Sequence, residues 1–183
     1  MGTTSGLAAG HQPGGAGGDP GSLESSIERD KYLTFFLGDE EYGLEILKVQ
    51  EIIGLLPITR VPRSAPHVRG VINLRGRVIP IIDLRLIFGL SALVATDETC
   101  IIVVELGGNL LGILVDRVSE VVDIGSAEIE APPTLGTDLE SEYLLGIAKS
   151  GGRVRLLLDI DRVLSAEEAE AAFEVGSSSV DLD

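Results

Sequence analysis

Apolar residues run along this chain in short blocks, each cut by a tight polar or glycine break. Tyr32 to Leu37, the break Gly38-Asp39-Glu40-Glu41 and Tyr42 to Ile46 predict one hairpin. Val68 to Leu74 and Val78 to Ile82 predict a second, reversing at Arg75-Gly76-Arg77, where glycine tolerates positive φ. Its strands are near-continuously apolar, the pattern of strands buried on most sides. Ile101 to Leu106, Gly107-Gly108-Asn109 and Leu110 to Val115 predict a third. Leu47-Lys48-Val49 fits a short helical turn, and Gln50 to Ile53 an extended segment. Pro57, Pro62 and Pro66 break regular pairing between Leu56 and Pro66, leaving a loop or edge segment, because proline lacks the N–H a central strand needs. Asp83 stands where a helix N-cap would, before Leu84 to Phe88 with Gly89 as the stop.

The blocks repeat. A shift of 76 residues carries Gly70, Gly76, Arg77, Val78 and Asp83 onto Gly146, Gly152, Arg153, Val154 and Asp159. A shift of 69 carries Gly38, Gly43, Val49 and Glu51 onto Gly107, Gly112, Val118 and Glu120. The difference falls in the loop around Ala131-Pro132-Pro133 to Glu142. Two copies of one unit follow, about residues 31–88 and 99–164. Each has about five short strands, a number that closes into a small barrel and hides its edges. The expectation is a mainly β protein of two packed barrels. Residues 1–30, rich in Gly, Ser, Ala and Pro, are expected to be a disordered tail. The capping box Ser165-Ala166-Glu167-Glu168 predicts a helix over 166–174, followed by a loose acidic tail at 175–183.

Composition narrows the functional classes. Of 183 residues, 29 are acidic and 14 basic, a net charge of −15 that disfavours nucleic acid and anionic membrane as partners. Six of the 14 basic residues nevertheless lie between Arg60 and Arg85 with only Asp83 opposing them, which fits either a local positive patch on an acidic body or solvated turn and edge residues. No apolar run is long enough for a membrane span. The single cysteine, Cys100, lies in an apolar run with no neighbouring histidine and fits a core position. No metal-binding, phosphate-loop or catalytic motif is present, so no cofactor or metal is expected. Asp83 and Asp159, at matching places, could be a catalytic carboxylate pair in a small β-barrel enzyme; duplicated helix caps explain them with less. Arg75 faces a glycine, Gly151, in the other copy, so its guanidinium is not needed to close the turn and is assigned to function.

The same residues resemble the CheW family, the coupling proteins of bacterial chemotaxis. The matching text is Phe36-Leu37-Gly38-Asp39-Glu40-Glu41-Tyr42-Gly43, Ile46-Leu47-Lys48-Val49-Gln50-Glu51-Ile52, Gly70-Val71-Ile72-Asn73-Leu74-Arg75-Gly76, Pro80-Ile81-Ile82-Asp83-Leu84, Gly112-Ile113-Leu114-Val115-Asp116 and Ser141-Glu142-Tyr143-Leu144-Leu145-Gly146. The resemblance spans about residues 31–165. It implies two five-stranded SH3-like barrels around a shared apolar core and no catalysis. It also implies a cytoplasmic scaffold, in arrays beneath membrane receptors, joining methyl-accepting chemoreceptor signalling tips to the regulatory domain of the histidine kinase CheA. By matching position, Ile46, Val49, Glu51, Gly70 and Arg75 would face the receptor in a groove between the barrels. It assigns no kinase-contact residue here, since the loop near Glu128 to Leu135 matches the family only loosely. An adaptor of a non-flagellar chemosensory pathway, or a self-assembling structural protein, remains the alternative from these residues.

Overall fold

A computed structural model describes residues 29–132 and 143–164. Residues 1–28 of the expected N-terminal tail, most of the loop from Ala131 to Glu142, and the expected C-terminal helix and acidic tail lie outside the described residues, while Arg29 and Asp30, expected in the tail, open the first strand. The strands are β1 (Arg29–Leu37), β2 (Glu40–Glu45), β3 (Val49–Gly54), β4 (Val68–Leu74), β5 (Arg77–Asp83), β6 (Cys100–Leu106), β7 (Asn109–Val115), β8 (Arg117–Gly125), β9 (Ile129–Glu130), β10 (Leu144–Ser150) and β11 (Arg153–Leu158). Single-turn helices α1 (Leu84–Ile87) and α2 (Ile160–Val163) follow β5 and β11.

The strands form two sheets, ordered β3-β6-β7-β5-β4 and β8-β1-β2-β11-β10-β9. The copies therefore trade hairpins: β6–β7 of the second copy completes the first sheet, and β1–β2 of the first copy completes the second. Each traded hairpin joins through a parallel pairing, β5 with β7 (Ile81↔Gly112) and β2 with β11 (Leu157↔Gly43). Both glycines make room at that junction: a Cβ on Gly43 would lie 2.8 Å from Leu157 Cδ2, and one on Gly112 2.4 Å from Ile81 Cδ1. The second sheet has six strands, not the expected five, because a 3-10 turn (Ser126–Glu128) divides its outer strand into β8 and β9. Neither sheet closes by pairing its outer strands; the chain itself crosses the seam, through β8–β9 in one and through the Thr59↔Val71 bridge after β3 in the other.

The near-continuous apolar runs have a simple cause. Along β6, Ile101 and Val103 point into a first-barrel cluster with Ile72, Ile79 and Ile81. Ile102 and Val104 point the other way, into a core shared by both sheets with Leu33, Phe35, Leu44, Val68, Leu158 and Val163. The second barrel has its own small interior: Tyr32, Ala148, Leu157 and Ile124. The first three are the repeat equivalents of Ile101, Ile72 and Ile81. Burial raises the Tyr32 hydroxyl above its ordinary pKa, with the nearby Asp30 and Glu45 charges adding to the shift. Phe35, Tyr42 and Phe88 stack in a row, with centroids 5.9 and 5.6 Å apart, and Tyr143 continues it tilted at 40° and 6.2 Å from Phe88.

Candidate docking site

The chain passes from the second sheet to the first at the 3-10 turn Ile46–Lys48, between β2 and β3. Ile46 and Val49, at the two ends of that crossing, are partly buried and pack against the shared core. Lys48 is pinned to α2: its Nζ donates to Asp161 Oδ2 at 2.9 Å, a bond that raises its pKa. Leu47 has nowhere to go and stands 89% exposed. Sequence reading placed it in a helical turn and gave it no role; the signal was three aliphatic residues, Ile46, Leu47 and Val49, around one lysine, more than a single turn can bury.

Glu51 and Arg75 are 24 residues apart, and the fold brings them together. β3 and β4 are the outer strands of their sheet. Glu51 lies on β3 and Arg75 in the turn after β4. Arg75 Nη1 donates to Glu51 Oε1 at 2.9 Å and Nη2 to Oε2, a bidentate pair that spans the open seam. The Arg75 hydrogen bond holds the Glu51 carboxyl below the ordinary glutamate range, and Glu51 in turn raises the guanidinium. Arg75 remains 70% exposed on its side chain, against 29% for Glu51. Its backbone is at φ 52 and Gly76 at φ 84, as a two-residue hairpin turn demands. In the other copy Gly151 and Gly152 hold φ 60 and 78. An arginine at this position bears the left-handed penalty that its glycine equivalent avoids.

Glu120, the equivalent of Glu51, also finds an arginine, but a different one. Arg155 of β11 donates to it at 3.3 Å, and Arg155 is otherwise buried against Glu41. The duplicated glutamates thus serve two different pairings, one exposed and one anchored in the fold.

Gly70 does not present itself to solvent beside the others. It is buried at φ 139, and a Cβ there would lie 2.1 Å from the Thr59 carbonyl oxygen. Gly146 holds the same relation to Glu130 O, at 2.8 Å. The close approach Gly70 allows in the structure is to its own chain.

Asp83 and Asp159 are helix caps. Asp83 Oδ1 accepts from Arg85 N at 3.0 Å and Oδ2 from Leu93 N at 3.0 Å, with the side chain fully buried. Asp159 Oδ1 accepts from Asp161 N at 3.1 Å. Asp83→Ala leaves two N–H groups unpaired, one of them buried, and is expected to cost about 2–3 kcal/mol; Asp159→Ala is expected to cost about 1 kcal/mol. Urea unfolding of the two variants checks the order. Among the described residues, no group of three or more His, Cys, Asp or Glu is placed to hold a metal, and no helix is long and apolar enough to cross a membrane.

The profile of the CheW-like domain matches residues 31–168, most of the chain. The chain belongs to the CheW-like family. A relative described as chemotaxis protein CheW, from Klebsiella aerogenes, is 40% identical over 148 residues, covering 81% of this chain and 89% of that one. Another of the same description, from Rhizobium meliloti, is 36% identical over 140 residues, covering 76% and 90%. The crystal structure of the scaffolding protein TtCheW from Thermoanaerobacter tengcongensis superposes with a TM-score of 0.69 at 34% identity, covering 77% of this chain and 96% of that one. The two-sheet SH3-like arrangement described above is thus the CheW-like fold, and the repeat read in the sequence lies within the matched span.

Proposed function

We propose that this CheW-like chain is a noncatalytic scaffold that couples chemoreceptor signalling tips to the regulatory domain of the histidine kinase CheA, in cytoplasmic arrays beneath the receptors. The receptor tip, a helical hairpin, lies against the crossing between the barrels. Ile46, Leu47 and Val49 supply apolar contact, Glu51 and Arg75 present charge and hydrogen bonds, and Gly70 sets the position of the β4–β5 hairpin that carries Arg75. One observation carries the reading: Arg75 sits on positive φ where the other copy has glycine, and it projects a paired but exposed guanidinium. Backbone strain retained at a surface turn marks a functional position.

The test separates stability from docking. Arg75→Gly removes the strain and the exposed pair, so the melting temperature is expected to stay or rise while capture by a receptor signalling fragment weakens. Leu47→Asp and Glu51→Lys are expected to change stability by no more than about 0.5 kcal/mol and to weaken the same capture. A large loss of stability in these three would make the residues structural and end the proposal. Because the Glu51 carboxyl titrates below its ordinary range, the pair persists above that range and is lost only as pH falls through the lowered value. Docking measured between about pH 6 and 8 is therefore expected to be flat. Pull-downs with the kinase regulatory domain and the receptor fragment, separately and together, test the coupling itself.

A further inference from the structure

Arg60 and Arg63 lie between β3 and β4 and Arg69 on β4 itself, and the structure gathers all three on one surface cavity of about 510 Å³. Val61, Pro62 and Ala65 supply apolar wall, and no acidic residue lines it. Three of the six arginines that the sequence offered as a local positive patch thus share one cavity, in a chain with 29 acidic residues. Arg60 and Arg63 are exposed and have no ion pair among the described residues. Arg69 reaches Asp83 only at 3.7 Å, and that carboxylate already accepts from the Arg85 and Leu93 N–H groups.

The loop is held in place. Thr59 and Val71 exchange backbone hydrogen bonds of 2.8 and 2.9 Å, Val68 N donates to Ala65 O at 3.0 Å, and Ser64 Oγ donates to Val61 O at 2.9 Å. Arg63 is fixed at φ 62. A loop ordered beforehand lowers the entropic cost of binding. Of the three like charges lining the cavity only Arg69 has a carboxylate in reach, and none of the chain's described carboxylates relieves Arg60 or Arg63.

We propose that this cavity binds an acidic peptide segment of a protein partner, with carboxylates forked onto the guanidiniums and aliphatic carbons against Val61, Pro62 and Ala65. Guanidinium geometry matches carboxylate oxygens two at a time. No aromatic side chain lines the cavity, so it has no stacking platform for a nucleobase. Its volume and apolar wall exceed what a bare phosphate uses. The cavity shares no residue with the Glu51–Arg75 site, so the proposal stands apart from the receptor reading.

The probe is a labelled synthetic peptide alternating glutamate with alanine and leucine, titrated with the full chain by fluorescence anisotropy at low and moderate salt. Saturable binding that weakens with salt is expected, about tenfold weaker for Arg60→Ala/Arg63→Ala at an unchanged melting temperature. Should that variant melt lower, Arg63→Gly, which relaxes the positive φ, carries the same comparison. Equal binding of a glutamine-for-glutamate peptide, equal binding by the variants, or saturation by pyrophosphate with no peptide binding would each overturn the proposal; the last would leave a small-anion site.

Discussion

Gly70→Ala is expected to destabilise the protein by about 3 kcal/mol, lowering the melting temperature by about 10 °C in calorimetry. The new Cβ would meet Thr59 O at 2.1 Å and Thr59 C at 2.8 Å, both backbone, and the residue sits at φ 139. No rotamer change relieves a clash with a carbonyl. The two Thr59–Val71 hydrogen bonds must lengthen or break, and with them the crossing that covers the seam between β3 and β4. Gly146→Ala is the internal control. Its nearest atom, at 2.4 Å, is the Ile129 Cγ2 methyl, which can turn aside, although Glu130 O follows at 2.8 Å. The smaller loss belongs there. Receptor capture should fall together with stability in Gly70→Ala, whereas in Arg75→Gly it should fall alone. An unchanged melting temperature in Gly70→Ala would mean that the Thr59 segment yields freely.

Much of this was legible in the sequence because it is local or repeated. Each hairpin announced itself by an apolar run, a turn of permissive residues and a second run. The caps Asp83 and Asp159 could be recognised because each precedes a short apolar turn at the same place in its copy. The singularity of Arg75 was visible because Gly151 stands opposite it in the repeat. Exchange of hairpins was not legible: two copies of one pattern say which residues are equivalent, not which copy a strand pairs with. The room left by Gly43 and Gly112 at the parallel junctions appears only once Leu157 and Ile81 are beside them. The Glu51–Arg75 pair was likewise hidden, since the two come from opposite edges of one sheet. Leu47 was missed because its exposure depends on how the crossing turn is pinned by Lys48 and Asp161.

The exchange makes a second large effect testable. Glu41 of β2 and Arg155 of β11 meet at one parallel junction, 3.0 Å apart and each 6% exposed as residues. Breaking such a pair from one side leaves a buried charge with a weak partner, so Arg155→Ile alone is expected to cost about 3 kcal/mol. The repeat identifies the cure. At the other junction the positions equivalent to Glu41 and Arg155 are Leu110 and Ile79, which pack in the first-barrel cluster. One protein thus solves the same junction twice, once with an ion pair and once with two aliphatic side chains. Glu41→Leu/Arg155→Ile is therefore expected to recover most of the loss, because apolar packing of similar volume replaces a buried ion pair at little cost. A thermodynamic cycle over the two single variants and the double variant measures this. The double variant melting as low as Arg155→Ile would show that the second junction depends on charge, and that its likeness to the first ends at the backbone.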